Sequence, residues 1–261
     1  VRAGLFAGQY PHNAGAWGND LPLGKTANTI GQYFQKASYR TAFIGKWHLD
    51  GTDYFGTGIP AEGYEDNYWY DGRNHLNQLT KEERLLWRSG LNTPEKIHEN
   101  NITRDFTWAA GITDRAKEFI ADNKQDQPYL MVVSYDEPHG PSTCPSPYCD
   151  MYLDRPYPLG ENFKVDLQDK PEHHQEWARH FNMNPEMENL SQPLYFGCVS
   201  FVDSEIGKVI DAVDEFDRDN TIIIFTTDHG HYLGAHRLKS KGPALYEEVV
   251  KVPLIFRGIN V

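Results

Sequence analysis

Three apolar runs in this chain each end in a cluster of residues able to do chemistry, and nothing else constrains the fold as tightly. TAFIG (41–45) runs into Lys46, Trp47 and His48. YLMVVSY (129–135) runs into Asp136, Glu137, Pro138 and His139, and TIIIFTT (221–227) into Asp228, His229, Gly230 and His231. Strands that are apolar at successive positions are buried on both faces, which is the habit of parallel sheets sandwiched between helices. In open α/β sheets the ligand lies beyond the carboxyl ends of the strands. The three clusters are therefore expected at one edge of a single sheet.

The intervening segments fit that reading. Residues 25–37, 104–122 and 194–216 have helical spacing. The inner face of the second is Phe106, Ala109, Ala110, Ile112, Ala116, Phe119 and Ile120. That of the third is Phe201, Val202, Ile206, Val209, Ile210 and Val213. A further apolar run, VPLIF, spans 252–256. The expected class is α/β, a mostly parallel central sheet covered by helices on both faces. Two stretches, 50–103 and 136–193, lack periodicity and are expected to be long loops that wall or cover the site.

Charge narrows the partners. A net charge of −12 argues against nucleic acid and anionic membrane surfaces, which require basic patches. No run approaches the roughly 18–20 apolar residues of a membrane helix, so no membrane insertion is expected. The opening VRAGLFAG has no basic region followed by an apolar one, so no signal peptide is visible in it. An enzyme acting on anions remains compatible, provided its Lys, Arg and His are concentrated in the pocket. Asp228 and His229 could give an oxygen and a nitrogen to one divalent cation. Lys46, His48, His139 and a lysine from 237–241 could surround a tetrahedral oxyanion. A metal with several cationic donors suits transfer of a phosphoryl or sulfuryl group, whose charge spreads over nonbridging oxygens.

At these residues a family resemblance emerges. AFIGKWHL (42–49) resembles the GKWHLG signature of type I sulfatases. FTTDHGHYLGAH (225–236) is similar to their second metal-binding segment, and KGPALYEEVVKVPLIFRG (241–258) to the run that follows it. RAGLFAGQYPHNAG (2–15) resembles the continuation of their Cys/Ser-x-Pro-x-Arg motif, whose Cys or Ser becomes formylglycine. The resemblance implies an alkaline phosphatase-like sandwich and hydrolysis of sulfate monoesters, of small molecules or glycans. It implies that Arg2 holds the formylglycine hydroxyls, and that Lys46, His48 and His139 bind sulfate. Lys241 matches the late sulfate-binding lysine, with Lys239 as its rival, and Asp228 and His229 match a metal pair. The implied cation is calcium. His229 stands where many sulfatases have Asn, which keeps manganese, magnesium and zinc open. On this mapping residues 1–261 are an incomplete catalytic domain. The nucleophile would sit three residues before Val1, the first metal-binding strand and the C-terminal region would lie outside, and these residues alone would be inactive. Rival readings are a phosphonate or phosphate ester hydrolase on the same scaffold and a noncatalytic relative that binds anionic glycans.

Plainer readings accompany several residues. His12 is expected to make a structural hydrogen bond, and His231 and His236 to stand behind the metal ligands. The His173–His174 pair is expected in solvent. Tyr64, Tyr68, Trp69 and Tyr70 could stack on a sugar or aryl group, or simply pack a long loop. Cys144 and Cys149, five apart, leave a disulfide open, whereas zinc-finger spacing is lacking. Asn101-Ile-Thr and Asn189-Leu-Ser fit the glycosylation pattern.

Overall fold

The computed structural model describes residues 1–51, 53–87, 90–123, 127–216, 218–242 and 244–258. Pro243, inside the 241–258 run, lies outside the described residues. The chain forms two compact units, Val1–Met151 with Leu194–Thr221, and Tyr152–Pro193 with Ile222–Val261.

The first unit is built on a parallel sheet. β1 (Arg40–Gly45) lies between β2 (Trp69–Tyr70) and β3 (Tyr129–Ser134), in the order β2-β1-β3. The β1–β3 register runs from Arg40 opposite Tyr129 to Gly45 opposite Ser134, so both strands end at the same level. α1 (Arg2–Ala7) precedes the sheet, and α2 (Ile30–Lys36) and α6 (Trp108–Asp122) both contact β1 and β3. The inner face expected for the second helix is buried throughout, with Trp108 and Thr113 added to it. α8 (Pro193–Phe216) buries Phe201, Val202, Val209 and Val213 as expected, while Ile206 and Ile210 remain half-buried.

Phe43 of β1 anchors an aromatic core with Phe6, Trp47, Tyr64 and Trp69, in ring contacts of 5.3–5.4 Å to Phe6, Tyr64 and Trp69 and 4.9 Å to Trp47. Each such pair adds roughly 0.5–1.5 kcal/mol beyond the area it buries. Tyr64, Trp69 and Tyr70 are thus core residues, and the packing reading of that aromatic cluster is the one the structure supports.

Helix starts follow side-chain caps. The first helix begins at Ile30 rather than 25, because Thr29 is extended and its side chain accepts the Gln32 amide in a capping box with Gln32. The second begins at Trp108 behind the Thr107 cap, with Arg104–Phe106 as a 3₁₀ turn. The stretch 50–103 is not structureless. It holds α3 (Gly72–Gln78), α4 (Lys81–Leu86) and α5 (Pro94–Glu99), capped by Asp71, Thr80 and Thr93.

The second unit fills much of 136–193 with structure as well. β4 (Tyr157–Pro158) pairs antiparallel with β5 (Asn189–Leu190), and α7 (Glu172–Phe181) lies between them in sequence. β6 (Ile223–Thr226) pairs antiparallel with β7 (Leu254–Arg257), after α9 (Glu247–Val250). The mostly parallel sheet expected of the apolar runs is that of the first unit, whereas these two ladders are antiparallel. Ile224, Phe225, Leu254, Ile255 and Phe256 of these strands are exposed, so their continuous apolarity reports strand formation and neither burial nor strand direction.

Among the described residues no helix is long and apolar enough to cross a membrane. All three cysteines, Cys144, Cys149 and Cys198, are free and buried, so the Cys144–Cys149 disulfide is not formed.

One buried histidine gives the fold a pH dependence. His75 of α3 is 3% exposed, with its Nδ1 3.1 Å from the Tyr70 hydroxyl, and burial pushes its pKa down to about 4. Unfolded histidine titrates near 6.5, so the unfolded chain takes up this proton first. His75 therefore costs the fold nothing above about pH 6.5, and stability drains away as pH falls from there toward 4, by about 3 kcal/mol. Urea denaturation at pH 7 and pH 4.5 is expected to show that loss, reduced in His75→Gln. A variant losing just as much as the parent would place the acid sensitivity elsewhere.

Candidate active site

The chemistry-bearing residues of the first unit meet because β1 and β3 are parallel and in register. Beyond Gly45 the Lys46 amide donates to the Ser134 carbonyl at 2.8 Å, which carries the pairing one residue past the strands. Gly45 has φ +118, and a Cβ there would sit 2.0 Å from that same carbonyl oxygen, so the two strand ends approach as only glycine permits. His48 is also left-handed, with φ 54. That turn separates Lys46 and His48 from buried Trp47, which stays in the aromatic core.

Tyr54, absent from the sequence-based candidates, lies at the centre. Lys46 Nζ donates to its hydroxyl at 2.7 Å and lies 4.2 Å from its ring centroid. The hydroxyl in turn donates to Asp136, and Lys46 Nζ pairs directly with Asp136 at 2.9 Å. The Tyr54 ring contacts the His48 ring at 5.0 Å and the His139 ring at 5.3 Å. Lys46, His48 and His139, three of the residues expected together, are therefore gathered around one tyrosine. Lys46 and Asp136 are both buried. Close by in sequence, burial and then the charge of Asp71 push the Asp50 carboxyl up to about 6.

Arg2 stands behind this edge. Its guanidinium donates to the Trp47 carbonyl at 2.9 Å, to the Ser134 hydroxyl at 2.7 Å and to the Lys46 carbonyl. Ser134, itself unanticipated, donates to the Lys46 carbonyl at 2.9 Å. The start of α1 is thereby tied to the turn that carries Lys46 and His48. His12 stacks on Tyr10 with ring centroids 5.7 Å apart.

In the second unit Asp228 and His229 follow β6. His229 Nδ1 donates to the Gly230 carbonyl at 2.9 Å, which leaves Nε2 as the lone-pair nitrogen of the neutral ring. That nitrogen faces Asp228 Oδ1 at 3.7 Å. Two acceptors pointed at a common region form a donor pair that fits a divalent cation. Gly230 lies against α9 and donates to the Val249 carbonyl at 2.9 Å. A Cβ on it would meet the Glu248 carbonyl at 2.0 Å. Lys239 and Lys241 are both half-buried.

Other histidines of this unit are structural. His231 Nδ1 accepts from the Leu233 amide at 3.1 Å. The His236 ring stacks on Tyr246 at 3.6 Å and lies 3.3 Å from Glu248. Burial lowers its pKa although Glu248 opposes that. His174 corrects an expectation. It is buried, with Nδ1 3.1 Å from the Tyr246 hydroxyl and Nε2 2.9 Å from the His236 carbonyl, whereas His173 is exposed.

The sulfatase family model matches residues 1–260. The chain is 49% identical over 260 residues to the uncharacterized sulfatase YidJ of Escherichia coli K12, covering 99% of this chain and 52% of that protein. Among solved structures it is similar to the phosphonate monoester hydrolase SpPMH of Silicibacter pomeroyi, with TM-score 0.73, 22% identity and coverage of 99% of this chain and 58% of that one. It is also similar to BT4656, solved with its substrate D-glucosamine-2-N,6-O-disulfate, with TM-score 0.71, 18% identity and coverage of 98% and 60%. The chain spans about half the length of the curated relatives it matches. The fold is the α/β architecture of sulfatases and their alkaline phosphatase-like kin, with a mostly parallel central sheet. Matched from residue 1 to residue 260, and half identical to a curated sulfatase, the chain belongs to the sulfatase family.

Proposed function

We propose that the protein hydrolyses sulfate monoesters, of small molecules or of glycans. The observation that carries the reading is the gathering of Lys46, His48 and His139 around Tyr54 at one strand edge. A sulfate dianion needs fixed positive donors for its nonbridging oxygens, and a lysine flanked by two imidazoles supplies them without reorganisation. Lys46 binds one oxygen, held in place by Tyr54 and Asp136. His139 binds a second. His48 carries the proton that release of sulfate requires, since an imidazole can titrate near working pH. Arg2 anchors the nucleophile's segment to the strand ends. Lys241, with Lys239 as the alternative, neutralises a further oxygen and assists the leaving group.

Asp228 and His229 would hold one divalent cation. Calcium is the family expectation, and the imidazole nitrogen keeps manganese, magnesium and zinc open. When bound, that cation would polarise a sulfate oxygen and lower the pKa of the nucleophile. The nucleophile in this reading is a formylglycine hydrate, made from a Cys or Ser before Arg2 in the family motif.

The second reading, a phosphonate monoester hydrolase, draws on the Asp228–His229 pair and on the likeness to SpPMH. Rates on p-nitrophenyl sulfate and on a phosphonate monoester separate the two. The full-length protein is expected to show the higher kcat/KM on the sulfate. The opposite preference transfers the site to phosphonate chemistry, and turnover of neither leaves an anion-binding protein.

A further inference from the structure

Away from the strand edge, the first unit brings three different metal-ligating side chains together. His98 lies on α5, and Cys149 and Asp150 on the 3₁₀ turn Tyr148–Asp150. Their ligand atoms lie within 4.8 Å of one another. His98 Nε2 is 2.9 Å from Asp150 Oδ1, Cys149 Sγ is 3.4 Å from Asp150 Oδ2, and Cys149 Sγ is 3.9 Å from His98 Nε2. A tetrahedral zinc ion with bonds of about 2.0 Å to nitrogen and oxygen and about 2.3 Å to sulfur sets its donors about 3.3–3.5 Å apart. These separations, to Oδ1 from the imidazole and to Oδ2 from the sulfur, lie on either side of that spacing, so a turn of the carboxylate with small side-chain adjustments would seat the ion.

The surroundings suit a built site as well. Cys149 is fully buried beside Ile97 and Cys198, which fixes the sulfur. The His98 side chain is 51% exposed and that of Asp150 35%, which leaves an entry path and a position for water. The Ser146 hydroxyl donates to Asp150 Oδ2 at 3.5 Å and orients the carboxylate from behind. The plain alternative is a surface His–Asp ion pair that happens to border a core thiol. In that alternative the thiol only donates a hydrogen bond to the same carboxylate, at 3.4 Å.

We propose that His98 Nε2, Cys149 Sγ and the Asp150 carboxylate form a binding site for a borderline-soft divalent ion, zinc above all, with the fourth position open to water. Sulfur and nitrogen donors exclude calcium and magnesium as natural occupants. On binding, the thiol proton passes to solvent as the sulfur–metal bond forms, and the His98 Nε2 proton that faces Asp150 leaves to solvent or is replaced by one on Nδ1, freeing the lone pair for the metal. The ion ties α5 to the 148–150 turn, two segments separated by some fifty residues of chain. Zinc-finger spacing is unnecessary here, because the histidine comes from a distant helix. The site is independent of the catalytic reading and of the Asp228–His229 pair.

Cobalt(II) tests it, since a thiolate–cobalt bond absorbs in the near ultraviolet and carboxylate or imidazole ligation does not. Chelator-treated protein titrated with cobalt(II) is expected to develop that absorption to one equivalent, and zinc to abolish it by displacement. Cys149→Ser should remove the band. His98→Ala at an exposed position and Asp150→Asn, an isosteric change at a half-buried one, should weaken binding at least about tenfold. Asp228→Asn and Cys198→Ser should leave it unchanged. Absence of the band in the parent protein, its survival in Cys149→Ser, or undiminished affinity in both His98→Ala and Asp150→Asn would overturn the site.

Discussion

Lys46→Ala is expected to lower kcat on p-nitrophenyl sulfate by about 10²–10³, the usual cost of removing one preorganised donor to a developing negative charge. The reason is local. Lys46 touches both Tyr54 and Asp136, at 2.7 Å and 2.9 Å. Without it the Asp136 carboxylate loses the ammonium charge beside it, so more of its repulsion of the incoming dianion is added to the lost attraction. Lys46→Arg should restore little, because a planar fork cannot occupy the place of a compact ammonium above the Tyr54 ring. Steady-state kinetics of the full-length enzyme, with circular dichroism as the check on folding, reads the effect. A drop smaller than tenfold in a folded variant would remove Lys46 from sulfate binding.

Gly45→Ala should be the most damaging small substitution in the sheet. The left-handed φ of +118 costs a non-glycine residue about 1–3 kcal/mol, and forcing a methyl group against the Ser134 carbonyl costs a similar amount again. The sum, about 4 kcal/mol, is a large part of the 5–15 kcal/mol that typically separates folded from unfolded domains. Gly8→Ala is the matched control. Gly8 also has a positive φ, +62, but nothing lies within 4 Å of the added carbon, so only the backbone strain applies. Chemical denaturation of both variants is expected to show the first losing about twice as much stability as the second. Equal losses would mean that the β1–β3 crossing can open without cost.

Much of the candidate site could be read from residue order alone, because it depends on strands that announce themselves by continuous apolarity. Lys46, His48, Asp136 and His139 each fall within five residues of a strand end. Their meeting follows from parallel register once β1 and β3 are recognised. Tyr54 has no such marker. It reaches the site through a turn-rich stretch containing Gly51 and Gly56, both at positive φ, where side-chain position is decided by loop path and not by periodicity. His174 was misjudged for a related reason. Its neighbours in sequence are charged, while the groups that bury it, Tyr246 and the His236 carbonyl, come from more than sixty residues away. The short helices of 50–103 are a different case. Asp71 with Asn74 and Thr80 with Glu83 are capping boxes visible in the sequence, but helices of six or seven residues are too brief to show an apolar stripe. Strand direction in the second unit had no local signal at all.

The guanidinium of Arg2 grips the peptide oxygens of positions 46 and 47, and no side chain at either position takes part in that grip. The scaffold of the turn is consequently blind to which functional group the turn displays. Exchange of the amine at 46 would leave the clamp's partners in place, so a lineage could revise what this edge does to its ligand while inheriting the loop geometry intact.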